Sequence, residues 1–156
     1  MMDDYERFEK ECKKIRKEND NILNEFKEYL IQKGLKLKTV NNHVSNVDFY
    51  INEFLLYEDA IKAKDGVDEI GMFLGYWFIK KAMWSSPAQI KSNAASLKKF
   101  YTFMNEKGRI KREDLDCLKE RIKEDMPEWI ATMKRYDNPS ITNMAKVWGL
   151  EDFDYD

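Results

Sequence analysis

Apolar side chains recur in alternating steps of three and four at Tyr5, Phe8, Cys12, Ile15, Asn19, Ile22, Phe26 and Tyr29. That spacing lines up one side of an α-helix as a heptad seam with one polar member, Asn19. The seam fits one long helix, or two helices interrupted at Asn19-Asp20-Asn21, where short polar side chains compete for the backbone. Gly34 predicts the stop, as a left-handed C-terminal cap. Thr39 is the expected N-cap of a second helix, with Val40, Val44, Val47, Ile51, Phe54 and Leu55 on its buried face. Asn41, Asn42, Ser45, Asn46 and Asn52 fill much of the remainder. After a restart at Asp65-Gly66, Ile70, Phe73, Leu74, Trp77 and Phe78 form the stripe of a third helix, apolar nearly all round and therefore central.

Ser86-Pro87-Ala88-Gln89 combines a hydroxyl cap, proline at the first helical position and a glutamine three residues after the cap. It opens a fourth helix through Ile90, Ala94, Leu97, Tyr101 and Met104, closed by Gly108. Trp77, Phe78, Leu97 and Phe100 or Tyr101 are expected to be buried neighbours. Residues 112–125 form an amphipathic helix through Leu115, Leu118 and Ile122, which Pro127 breaks or restarts. A last short helix fits 139–148, capped by Asn138 and stopped at Gly149, and residues 151–156 are expected to fray. No strand-like alternation of useful length occurs. The chain reads as all-α.

Composition narrows the class further. In 156 residues, hydrophobic side chains make up 43% and aromatic ones 13%, enough to build a core and exclude wholesale disorder. The most apolar run, 70–79, is about half the roughly 18 residues that a bilayer crossing requires, and the acidic N-terminus does not read as a secretory signal. Cys12 and Cys117 are far apart without a partner motif, so two reduced core cysteines in a cytoplasmic protein are expected. His43 is the only histidine, and phosphate-binding glycine loops and hydrolase motifs are absent. No cofactor and no metal site is expected.

The net charge of -2 hides a segregation. Residues 1–32 are near balance at -2, residues 33–112 carry 14 basic and 8 acidic side chains (+6), and residues 113–156 carry 6 and 12 (-6). The central block suits a polyanion, and an ordinary solvated surface fits the same numbers. Two helix starts sharpen the first option. Lys36, Lys38 and Thr39 precede Asn42, His43 and Asn46; Ser85 and Ser86 precede Gln89, Lys91, Ser92, Asn93, Ser96 and Lys99. Helix N-termini offer free backbone N–H groups to phosphate, and amide side chains can read base edges. For His43 itself, a surface or half-buried residue without chemistry is the expected role, against a phosphate or base contact.

Residues 26–44 (FKEYLIQKGLKLKTVNNHV) and 84–104 (WSSPAQIKSNAASLKKFYTFM) carry a resemblance. The first resembles the opening of the core-binding domain of tyrosine recombinases, the phage-integrase type, where a helix ends in Lys-Gly-Leu before a hydroxyl-initiated second helix. The second resembles that domain's fourth helix, begun by serine and ending in Phe-Tyr-x-Phe. The resemblance covers about residues 21–110. It implies a SAM-like orthogonal bundle of four helices, flanked here by a helical N-terminal extension (1–20) and an acidic helical C-terminal extension (111–156). It implies duplex DNA as partner, contacted by Lys36, Lys38, Thr39, Asn42 and His43 and by Ser85, Ser86, Gln89, Lys91, Ser92 and Lys99. The family's catalytic domain has no counterpart: His43 is followed by Val-Ser-Asn rather than x-x-Arg, and Tyr136 and Tyr155 are not credible nucleophiles.

The leading expectation is therefore a non-catalytic DNA-binding domain associated with DNA integration and recombination. It carries a recombinase or other protein as a possible partner, and no membrane. The alternative is a helical protein-interaction module that has lost DNA binding. The N-terminal seam is expected to pack on the protein's own core, with dimerisation as the other option. The C-terminal helices are expected to pack through Leu118, Ile122, Trp129 and Trp148. The competing reading is autoinhibition, by Asp152, Asp154 and Asp156 or by the helix bearing Glu120 and Glu124.

Overall fold

The computed structural model describes residues 2–150 and is all-helical, with no strand among the described residues. Among the described residues, six helices follow one another. α1 spans Asp4–Gln32, and α2 spans Leu37–Asp48 and continues as a π-helical turn, Phe49–Phe54. After a 3₁₀ turn at Ala63–Gly66, α3 is built from Ile70–Met72, a second π turn Phe73–Trp77, and Phe78–Lys81. α4 spans Pro87–Glu106, α5 Arg112–Asp137 and α6 Met144–Val147. The expected fraying of 151–156, together with Asp152, Asp154, Tyr155 and Asp156, lies outside the described residues. Among the described residues, no helix is long and apolar enough to cross a membrane.

α1 is one helix, started by the Asp3 carboxylate accepting from the Glu6 N–H. Asn19 does not interrupt it. That side chain is buried and donates to the Ile51 carbonyl (3.3 Å) and to Asn52 Oδ1 (2.8 Å), so the polar member of the seam is spent on α2's π turn. Cys12 and Ile15 pack with Leu56 in a small second core, with Phe8 at its edge. From Phe8 onward the seam is thus covered within the chain, while Tyr5 stays exposed. Gly34, at φ +85, ends the helix as expected, and the Leu35 N–H reaches back to the Leu30 carbonyl.

Four expectations need correction. Thr39 is not the N-cap of α2, because the extended residue there is Lys36 and Thr39 already lies within the first turn. The Gly34 turn needs only Leu35 and Lys36 to reorient the chain, so the helix resumes before the hydroxyl. Pro127 does not break α5, which runs through it. Its ring removes one donor from the Lys123 carbonyl, but both residues face solvent, and Leu115, Leu118, Ile122, Trp129 and Met133 bury the opposite face. The last helix is shorter than 139–148: Asn143, not Asn138, caps it by accepting from the Ala145 N–H, while Asn138 accepts from Ser140. Cys117 is exposed on the outer side of α5, so only Cys12 is a core cysteine.

The main core joins α1 to α5. Phe26 meets Phe100 edge-on at 5.3 Å, and Phe73 of the second π turn meets Tyr50 and Phe54 of the first at 4.9 and 5.0 Å. Phe78, Leu97, Phe100 and Tyr101 are all buried, whereas Trp77 is only partly so. Two buried tyrosines hold the 3₁₀ turn: Tyr50 donates to the Gly66 carbonyl (2.6 Å) and Tyr101 to that of Ala63 (2.8 Å). Burial raises both phenols well above their ordinary pKa and keeps them donors. Leu118, Ile122 and Trp129 pack into the same core, and Trp148 lies against Tyr76 at 4.7 Å.

Leu97 is fully buried. Replacing it by Ala is expected to cost about 2 to 5 kcal/mol in urea unfolding, the range for a cavity at a packed leucine. Truncation after Asp137 removes Val147 and Trp148 from the bundle, and a lower melting temperature is the expected result.

Candidate nucleic-acid interface

The polar faces of α2 and α4 meet each other. Asn42 donates to Ser92 Oγ (3.3 Å), and Asn46 donates to Ser92 Oγ (3.1 Å) and Ser96 Oγ (3.0 Å). His43 Nδ1 lies 2.7 Å from Ser96 Oγ, which also donates to the Ser92 carbonyl at 3.0 Å. With its one proton on that carbonyl, Ser96 has both lone pairs free for Asn46 and for a His43 Nδ1–H. The seam is therefore a hydrogen-bond network between two helices, centred on the hydroxyls of Ser92 and Ser96.

This contact orders the two helices in opposite senses. Leu35, just before α2, shares a groove with Ala95, Lys98, Lys99 and Thr102. His43 and Asn46 meet Ser96 and Ser92, and Phe49, beyond α2's last regular turn, packs edge-on against Trp84 at 5.1 Å. Rising numbers on one helix thus meet falling numbers on the other. The two helix starts expected to act together lie at opposite ends of the seam.

Each candidate residue then has a definite place. Lys36, Lys38 and Thr39 are exposed at the start of α2, and Lys91 and Lys99 are exposed along α4. Asn42 and Ser92 are occupied by one another, and His43 is buried at 7% exposure, so it has no open face for a phosphate. Ser86 accepts from the Gln89 N–H (3.1 Å) as the α4 cap, and the Gln89 carbonyl accepts from Asn93. Ser85 donates to the Ile79 carbonyl (3.3 Å) and sits beside Trp84, away from the lysines of α2's start.

Lys33 and Lys98 were not among the candidates, although the structure groups them with Lys99. All three rim a groove of about 420 Å³ between the end of α1 and α4, with Tyr29, Leu30 and Leu35 as its apolar wall. The Lys33 ammonium stands 5.3 Å over the Tyr29 ring. A signal for this face was present in the sequence. Between Lys33 and Val47, and between Ile70 and Asn105, there is no Asp or Glu at all. Lys33, Lys36, Lys38, Lys91, Lys98 and Lys99 come from those two stretches and are all exposed. Glu106 follows directly on the second stretch; burial first, and then this nearby carboxylate, raise the Tyr29 pKa.

Comparison with protein-family models, with curated proteins and with solved structures finds no match.

Burial first, and then the nearby Lys99 charge, lower the His43 pKa. The unfolded chain, with a pKa near 6.5, takes up the proton first. The neutral His43–Ser96 contact therefore contributes fully above about pH 6.5 and is lost as pH falls from there through the lower folded pKa. Between about pH 7 and 5, the melting temperature is expected to fall more steeply for the native protein than for His43→Gln, which cannot titrate.

Proposed function

We propose that the chain is a non-catalytic DNA-binding bundle resembling the core-binding domain of tyrosine recombinases. Its α1–α4 would be the SAM-like part, and the lysine face of α2 and α4 would grip the phosphate backbone of a duplex. One observation carries this reading. The end of α1 and the antiparallel α2 and α4 together present six exposed lysines from stretches without a carboxylate, in a chain whose overall charge is negative. Such a local excess meets a polyanion whatever the net charge.

The same geometry limits the kind of binding. Asn42 and Asn46 donate to Ser92, and Asn46 to Ser96 as well, which turns their amide N–H groups toward α4 rather than toward a base edge. Lysines on a helical surface contact phosphates, which position a protein without specifying sequence. The family resemblance suggests a place in DNA integration and recombination beside a separate catalytic protein. A second reading, a protein-interaction module without DNA binding, is favoured by the consumption of those amides.

A salt titration separates the two. Random-sequence duplex is expected to bind at low salt and to lose affinity linearly in log–log terms. Replacing Lys33, Lys98 and Lys99 together by Gln should flatten the slope by about one unit per phosphate contact removed. Lys80→Gln with Lys81→Gln, away from this face, should change it little. Absence of binding at low salt would leave the interaction-module reading.

A further inference from the structure

A pocket of about 320 Å³ lies at the end of the α2–α4 seam remote from the lysine groove, where α2 runs into its π turn and α4 begins. Asn46 and Asp48 reach it from α2, Phe49 and Glu53 from the π turn, Trp84 from the loop before α4, and Asn93 from α4 itself. No lysine or arginine lines it. Its volume is that of a small-molecule site, and π turns inside helices often mark functional positions.

The polar groups here are mainly acceptors. Both N–H groups of Asn46 go to Ser92 and Ser96, which leaves its side-chain oxygen. Asn93 is 1% exposed and donates to the Gln89 carbonyl at 2.8 Å, while its own side-chain oxygen accepts from no described residue. A buried side-chain oxygen normally has a donor. Among the described residues, only Trp77 Nε1 and Arg109 Nη1 are both unpartnered and sealed from solvent. The Asn93 oxygen is therefore reachable, and the pocket that Asn93 lines is where it is reached. The ion pairs among the described residues use Glu25, Asp116 and Glu128, so neither Asp48 nor Glu53 has a cation. The indole of Trp84 is open as well. It is 54% exposed, and the cations that stand over rings are at Tyr29, Tyr57, Tyr76 and Phe103.

Two carboxylates, two amide oxygens and an untaken indole face call for a cation rich in N–H donors. An anion is repelled, and a neutral donor leaves both carboxylates uncompensated. A quaternary ammonium can sit on the ring but has no proton for Asn93. A guanidinium meets every requirement, because its plane stacks on an indole while its edge donates in several directions. We propose that this pocket binds a guanidinium group, stacked on Trp84, paired with Asp48 and Glu53, and donating to the side-chain oxygens of Asn46 and Asn93. The site does not use the lysine face and does not rest on DNA binding.

The probe is ethylguanidinium chloride, titrated to about 50 mM into the isotope-labelled full chain at constant ionic strength, above the millimolar affinity that so small a ligand supports. The indole N–H of Trp84, identified with Trp84→Phe, and the side-chain amide of Asn93 are followed by NMR. Both should shift saturably with one half-saturation point. N-ethylurea, the neutral isostere, and tetramethylammonium, a cation without donors, should leave them in place. Ethylammonium, which lacks the plane and the fork, should need about five times the concentration. Asp48→Asn with Glu53→Gln should raise the half-saturation about fivefold, the effect of two exposed charge contacts. Glu120→Gln with Glu124→Gln, elsewhere on the surface, should not change it. A capped Gly-Arg-Gly peptide distinguishes the sources of the group. Affinity equal to that of ethylguanidinium assigns the pocket to an arginine on a polypeptide, and clearly weaker binding assigns it to a free guanidinium compound. Unmoved Trp84 and Asn93 signals, an equal response to any of the three control compounds, or equal weakening by the Glu120/Glu124 pair would overturn the proposal. Replacing Lys33, Lys98 and Lys99 by Gln should leave ethylguanidinium binding unchanged, so this test and that of the lysine face can fail separately.

Discussion

The hydrogen-bonded seam between α2 and α4 determines where the charged surface lies. An apolar contact tolerates a slide of a helical turn, because dispersion and burial are nearly direction-free. The seam of Asn42, His43 and Asn46 with Ser92 and Ser96 does not. A shift of one turn would separate the buried His43 and Ser96, at about 1 to 3 kcal/mol for each buried polar group left unpaired. The lysines therefore inherit a fixed arrangement: Lys98 and Lys99 face Lys33 across the groove because Ser92 and Ser96 face Asn42, Asn46 and His43. A histidine suits this place only while neutral, and both its burial and Lys99 keep it so.

A second polar tie works the same way at the other side of α2. Asn19 reaches from the middle of α1 to the Ile51 carbonyl and Asn52. It thereby joins the long first helix to the π turn that carries Tyr50 and Phe54. Those rings pack on Phe73 of the second π turn, so both wide turns are filled by aromatic side chains. Outward of that packing lies an aromatic groove lined by Phe54, Tyr57, Tyr76 and Trp77, with Phe54 and Trp77 common to both.

The helical elements were legible because each depends on local signals. The caps at Ser86, Gly34 and Gly108, and the stripe through Ile90, Ala94, Leu97 and Tyr101, act within a turn or two of chain. The misses were of another kind. The continuity of α5 through Pro127 reflects burial of its opposite face, which local propensity does not report. Likewise, the early start of α2 reflects how little chain the Gly34 turn consumes. At the candidate site, the sequence shows the amides and hydroxyls of both helices, but their partners lie about 50 residues away in the chain. Polar residues that satisfy each other look, in one dimension, the same as polar residues awaiting a ligand. The exposed lysines, Lys33 and Lys98 among them, could instead have been found from the absence of carboxylates around them in the chain.

The net charge of -2 is the sum of opposed fields on one small body. Lysines crowd the α2–α4 face, while carboxylates crowd the stretch 53–69 that edges the aromatic groove. At ordinary salt, fields between exposed charges fade beyond roughly 8 to 10 Å. Each face therefore acts on a partner that has come close, largely without cancellation by the other. A polyanion approaching the lysine face is attracted, and one approaching the groove is repelled, so orientation is selected before contact. A basic segment is sorted in the reverse sense. The fold thus keeps two electrostatically opposite surfaces apart with one device. The antiparallel seam turns α2's lysine-bearing start toward the later part of α4, while α2's far end runs into the aromatic π turn.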